Sequence, residues 1–193
     1  FVDQLKQLKT RFPRLISVAS LRKGEEAVLG PVIKRLADEI PDVCFLIFPR
    51  YLEHVTYFTN QFAAFGCRPS VYPQIGRFTI INQFGLVSSG VSESVFYTVG
   101  GTFIKGIGGH NPVEGARFGV VGISGPYDYK IRDQMDLYIR TEHINLTYQT
   151  LRSLLLNPKQ LTEYKTVLES AVRKAETYID RCCEIIKCIC GEN

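Results

Sequence analysis

Long apolar runs are missing from this chain. No stretch approaches the ~18 residues that a membrane-spanning helix needs, and no signal peptide is present. Charge of one sign is also scarce: the net charge of +4 suits an acidic partner such as a phosphate or an anionic membrane surface, and is too weak to indicate nucleic-acid binding. Methionine occurs once, at Met135, and the chain begins at Phe1. A natural initiation product does not look like that, so the chain is expected to be the C-terminal part of a longer protein, with any anchor upstream. Paired C-x2-C spacing is absent among the six cysteines. Cys44 and Cys67 sit in apolar or turn contexts and read as small buried residues. Cys182, Cys183, Cys188 and Cys190 lack the spacing of a structural zinc site; reduced thiols, a lipidated or membrane-proximal cluster, and a metal site all stay open. His54, His110 and His143 form no ligand spacing.

What is there is ordinary globular text. With 193 residues, 45% of them hydrophobic and 22% charged, and with no internal repeat or low-complexity linker, one domain with a real core is expected. Residues 27–40 place Leu29, Val32, Ile33, Leu36 and Ile40 on one helical stripe. "VCFLIF", Val43 to Phe48, reads as a strand buried on both faces. A helix is expected from Leu52 to Phe65, ended by Gly66. "RFTIIN" (77–82), "SVFYTV" (94–99) and "GVVGI" (119–123) are further strands, the last closed by a turn at Gly125-Pro126. Strands separated by helix-length segments predict an α/β fold, a Rossmann-like parallel sheet flanked by helices. From Pro158 onward, Leu161, Tyr164, Leu168, Ala171, Val172, Ala175, Tyr178, Ile179 and Cys182 repeat at three and four, which predicts a long C-terminal amphipathic helix.

The densest chemistry lies in "GGTFIKGIGGHNPVEGARFG", Gly100 to Gly119. A loop so rich in glycine serves either a tight crossover of chain or a bound ligand. In open parallel sheets ligands bind beyond the carboxyl ends of the strands, and this loop follows the strand ending at Val99. Asn111 as N-cap, Pro112 in the first helical position and Glu114 three residues after the cap predict a capping box and a helix starting at Pro112. Such a start presents free N–H groups to an anion. The dinucleotide fingerprint fails, because its third glycine would fall at Asn111, and there is no G-K-[ST] of a P-loop. His110 reads as a loop organiser or as a general base. Arg50, just past the strand at Pro49, reads as a surface charge or as a phosphate contact on the same sheet edge.

Four separated stretches then fall into one order: "ASLRKGEE" (19–26), "PRYLEHV" (49–55), "INQFGLV" (81–87) and the glycine loop. They resemble the motifs of the C-terminal half of the 3-deoxy-D-manno-octulosonic acid (Kdo) transferases, glycosyltransferases of the GT-B class. Those motifs are Ser-Thr-His-x-Gly-Glu-Glu, Pro-Arg-His-Pro-Glu-Arg, Asp-Thr-Met-Gly-Glu-Leu and Gly-Gly-Ser…Gly-Gly-His-Asn-Pro-x-Glu-Pro-Ala. Leu52-Glu53-His54-Val55 and the Gly-Thr-Phe at 101–103 look closer to the chlamydial branch.

The resemblance implies that residues 1–193 are the donor-binding domain of an enzyme of lipopolysaccharide biosynthesis. Its donor would be CMP-Kdo, with no cofactor and no metal. Its acceptor, a lipid A precursor, and its catalytic carboxylate would belong to an N-terminal domain outside this chain, at the cytoplasmic face of the bacterial inner membrane. Carried over by position, Pro49 and Arg50 hold the cytidine nucleotide, Phe84, Gly85 and Leu86 match the Met-Gly-Glu segment, and Asn111, Pro112, Val113 and Glu114 match Asn-Pro-x-Glu. Leu21 and Arg22 stand in place of Thr-His, Tyr51 in place of His, Asn82 of Asp, Leu86 of Glu, and Gly115 of Pro. Two other readings stay open: a non-catalytic binding remnant of the fold, and a GT-B enzyme using a uridine nucleotide sugar.

Overall fold

The computed structural model describes the backbone of residues 1–190 and the side chains of residues 1–177. In chain order its elements are α1 (Val2–Arg11), β1 (Arg14–Leu21), α2 (Glu26–Glu39), β2 (Val43–Pro49), α3 (Val55–Ala64), β3 (Pro69–Val71), β4 (Phe78–Ile80), α4 (Val87–Ser92), β5 (Phe96–Val99), α5 (Val113–Ala116), β6 (Gly122–Ser124), β7 (Tyr138–Arg140), α6 (Thr147–Leu156) and α7 (Pro158–Cys190). The strands form one parallel sheet in the order β3-β4-β2-β1-β5-β6-β7. The chain winds outward from β1 on one side, then returns to the other side of β1 as β5. The winding direction therefore reverses between the carboxyl ends of β1 and β5, which is where such sheets open a crevice.

Both faces of the sheet are covered, which explains the unbroken apolar runs. Along β2, Phe45 and Ile47 join one core with Ile33 and Leu36 of α2 and Phe58 and Phe62 of α3. Cys44, Leu46 and Phe48 point to the opposite face, against Leu5 of α1. Each such side chain is fully buried and stabilises the fold by roughly 1.5–3 kcal/mol. Burial pushes the Cys44 thiol up to about 12 and the Cys67 thiol up to about 11, so both are inert packing residues. On α7, Leu161, Leu168 and Val172 join the first core. The expected stripe beyond Ala175, with Cys182, Cys183, Cys188 and Cys190, lies outside the residues whose side chains are described.

Three differences from the sequence-based expectation have physical causes. The middle strand, β1, contains Ser17 and Ser20 and so carries no clean apolar run. Ser17 is nevertheless buried, because its hydroxyl bonds that of Ser94 at 2.9 Å, and Ser94 in turn donates to the Gly90 carbonyl. The expected strand over 119–123 is displaced to Gly122–Ser124, since Gly119 adopts φ +66° in the turn that leaves α5. The helix expected over 52–65 begins as a 3-10 turn at Leu52–His54 before α3, and ends at Gly66 with φ +84° as its composition predicts.

Candidate functional site

At the carboxyl ends of β1 and β5, where the winding reverses, lies a cavity of about 200 Å³ lined by Ser20, Arg50, Gly100, His110, Asn111 and Glu114 among others. Two backbone features shape it. Ser20 holds φ +53°, the sole non-glycine residue with positive φ among those described, in the bulge where β1 slips register against β2. Gly100 passes so close to that bulge that a Cβ would stand 2.3 Å from the Ala19 carbonyl oxygen and 2.4 Å from that of Ser20. Only glycine fits there.

The glutamates of Gly24-Glu25-Glu26 hold this edge together. Glu25 is fully buried. Its Oε1 accepts the N–H groups of Gly101 (2.8 Å) and Phe103 (3.1 Å), and its Oε2 accepts that of Arg22 (2.9 Å). One carboxylate thus clamps the start of the glycine loop to the turn after β1. Burial raises its pKa and the backbone donors oppose the rise, leaving it above the ordinary value. Glu26 accepts the Gly24 N–H (2.7 Å) and the Tyr57 hydroxyl (2.6 Å), fixing the same turn to α3.

The glycine loop is a fold-back. Gly109 and His110 donate to the carbonyls of Gly101 and Gly100, both at 2.9 Å, and Lys130 donates to Gly108 from the loop after β6. That lower loop is anchored by Asp128, fully buried and ion-paired to Arg132 (3.0 Å) and Arg140 (3.1 Å). The helix that follows corrects the expectation from spacing. It is a single turn, Val113–Ala116, with Pro112 as its cap. No capping box forms: the Val113 N–H donates to Asn111 Oδ1 (3.0 Å), while Glu114 Oε1 accepts the Ser88 hydroxyl of α4 (2.9 Å). A one-turn helix carries little dipole, so side chains must supply the field that attracts an anion here. Gly115 has its own reason, since a Cβ there would stand 2.0 Å from the Tyr97 ring. Tyr97 is buried under the turn and donates to the Pro112 carbonyl (2.8 Å).

The charges around the cavity are mostly positive. Arg22 lies over the Tyr51 ring, 5.1 Å from its centroid, and its Nε donates to His110 Nε2 at 3.3 Å. His110 is therefore an acceptor and a neutral loop organiser. Burial first, and then Arg22, Arg50 and Lys130, push its imidazole down to about 4. None of the ion pairs among the described residues involves Arg22, Arg50 or Lys130.

Of the residues singled out from sequence, Arg50, Asn111 and Glu114 line the cavity together. Pro49 is buried as the last residue of β2, paired with Leu21, and sets where Arg50 leaves the sheet. Pro112 and Val113 contribute backbone and shape the turn rather than the lining. Phe84, Gly85 and Leu86 do not line it. Phe84 is 74% exposed, and Gly85 has φ +82° with open space where a Cβ would stand. Leu86 packs at the start of α4, so this turn is tied to the cavity through Ser88 and Glu114. Ser20 and Glu25 fall in the motif-like stretch "ASLRKGEE" without an assigned role, and Tyr97 lies outside the four motif-like stretches; each acts through a backbone contact distant in sequence.

A larger groove, about 1010 Å³, lies at the opposite end of the sheet. Its Arg77 is committed to the carbonyls of Val43, Ala37 and Ile40, and its Lys34 is paired with Asp38. Two of its cations are therefore engaged in holding the fold.

No family model matches the chain. Curated relatives do. A 3-deoxy-D-manno-octulosonic acid transferase of Aquifex aeolicus is 28% identical over 119 residues, 61% of this chain and 33% of that protein. A transferase of the same name from Rickettsia felis is 25% identical over 177 residues, 84% of this chain and 37% of that one. Among solved structures, the C-terminal CMP-Kdo binding domain of WaaA from Acinetobacter baumannii superposes with a TM-score of 0.79 at 14% identity, covering 89% of this chain and 97% of that chain. The chain resembles the C-terminal half of the Kdo transferases. It spans about a third of the length of the curated relatives it matches. The C-terminal domain of a group 1 family glycosyl transferase from Francisella tularensis shares the fold more distantly, with a TM-score of 0.62 at 12% identity over 90% of this chain and 92% of that chain. Gly115, where the family motif has proline, follows from the Tyr97 ring beside it.

Proposed function

We propose that this chain is the donor-binding half of a Kdo transferase, which moves Kdo from its cytidine monophosphate ester to a lipid A precursor in lipopolysaccharide biosynthesis. The observation that carries the reading is the convergence of Arg50, Asn111 and Glu114 on one switch-point cavity, in a chain that resembles the C-terminal half of that family. Arg50 binds the donor phosphate. Glu114 keeps its second carboxylate oxygen for the ribose hydroxyls while Ser88 holds the first. Asn111, its side-chain oxygen taken by the Val113 N–H, offers its amide NH2 to the nucleotide.

The reaction is an inverting displacement at the anomeric carbon, with the nucleoside monophosphate as leaving group. Negative charge grows on its phosphate as the glycosidic bond breaks. The part of this half is to stabilise that charge with fixed cations, so that little reorganises during the reaction. A neutral His110 neither competes for the phosphate nor supplies charge. The acceptor and the attacking base come from an N-terminal domain, and contact with the inner membrane surface is made through that domain. No helix among the described residues is long and apolar enough to cross a membrane.

Calorimetric titration of CMP and UMP into the chain tests this. Saturable CMP binding with a Kd at or below about 1 mM, at least fivefold tighter than UMP, is expected. Tighter binding of UMP than of CMP would favour a uridine-nucleotide enzyme. No saturable heat with either nucleotide would leave a non-catalytic remnant of the fold.

A further inference from the structure

We propose that Arg22 determines specificity for an ulosonic-acid donor, binding the sugar carboxylate while Arg50 binds the phosphate. The proposal rests on the donor-site reading above and goes beyond it, because it assigns a second anionic subsite to Arg22, which stands where the family motif has histidine.

Arg22 follows β1 directly, in the turn clamped by Glu25. Its guanidinium is fixed from two sides by neutral partners, the Tyr51 ring and His110 Nε2. The Nε bond leaves the terminal nitrogens to form a fork for a planar anion. Neither Arg22 nor Tyr51 matches the corresponding motif residue, so the stacked pair belongs to this chain itself.

A phosphodiester linking cytidine to a sugar carries one negative charge, which Arg50 alone can match. Arg22 is another cation, hydrogen-bonded to the cavity-lining His110. The lining residue of opposite sign, Glu114, is held by Ser88. An uncompensated second cation calls for a second anion on the ligand. An ulosonic acid supplies one in the right place, since its carboxyl carbon is bonded to the anomeric carbon that bears the phosphate oxygen. Ordinary aldose donors have hydrogen there. The neutrality of His110 supports the assignment, because it leaves the arginine as the cation at this spot.

The test compares the methyl ester of CMP, a singly charged phosphodiester like that of the donor, with CMP-Kdo on the 193-residue chain and on two variants. Wild type is expected to bind CMP-Kdo about tenfold tighter than the methyl ester, the worth of one charge-assisted contact. Arg22→Met should bring that ratio to about twofold or less while methyl-ester affinity stays within about twofold of wild type, and Arg22→Lys should give an intermediate ratio because charge survives without the fork. Retained methyl-ester affinity reports that the variant is folded. An unchanged ratio in Arg22→Met, or equal weakening of both ligands, would overturn the proposal and leave the donor-site reading standing. Failure of wild type to bind CMP at all would remove both.

Discussion

Replacing Arg50 by alanine is expected to lower CMP affinity by roughly 10- to 100-fold, the range for losing a bond between a cation and a phosphate. Pro49 closes β2, and the Arg50 N–H donates to the Leu21 carbonyl at 2.9 Å, so the sheet fixes where the side chain departs. The side chain itself is exposed at the cavity wall, makes no ion pair among the described residues, and has no packing role. Its loss should therefore leave stability within about 0.5 kcal/mol of wild type. Arg50→Lys should recover part of the affinity, since a point charge replaces a fork. Calorimetry and thermal unfolding on the same samples check both halves. Affinity preserved in Arg50→Ala would remove the residue from the site; affinity lost together with stability would make it structural.

The second large effect is at Glu25. Removing its side chain leaves the N–H groups of Arg22, Gly101 and Phe103 without their acceptor in a place closed to water. Each unsatisfied buried donor costs about 1–3 kcal/mol, and partial rehydration recovers some of it, so Glu25→Ala is expected to destabilise the fold by about 3–5 kcal/mol. Nucleotide binding should fall with it, because the clamp holds the start of the loop that carries His110 and Asn111. Glu25→Gln should be milder: it keeps one acceptor oxygen and turns a donor toward the Arg22 N–H or the loop amides. Chemical denaturation followed by circular dichroism measures this. A change below about 1 kcal/mol would show that the loop stands without its clamp.

Much of the architecture is legible in the residues because it depends on local apolar density. The β2 run "VCFLIF" is buried on both faces, and the stripe of α2 packs as its spacing predicts. What escapes reading depends on partners far along the chain. β1 is polar at Ser17, and becomes a buried strand only because Ser94 arrives 77 residues later. Glu25 looks like a solvated charge until three backbone donors are brought around it. The segment Asn111-Pro112-Val113-Glu114 has the pattern of a capped helix, yet one turn forms. The Tyr97 ring occupies the space beside Gly115, and Gly119 turns the chain away. Within the candidate site, Arg50, Asn111 and Glu114 line one cavity, whereas the Phe84–Leu86 turn stands outside that lining. Order along a sequence places a residue on the sheet edge but does not say how far it reaches across.

The central claim is that donor phosphate binds at the crevice between the carboxyl ends of β1 and β5. Amide chemical-shift mapping of the isotope-labelled chain during CMP titration tests it most directly. The account predicts saturable shifts at Arg50, Gly100, His110 and Asn111, with little change at Arg68, Gly76 and Arg77 in the groove at the other end of the sheet. Shifts confined to that opposite groove, or none at saturating nucleotide, would contradict it.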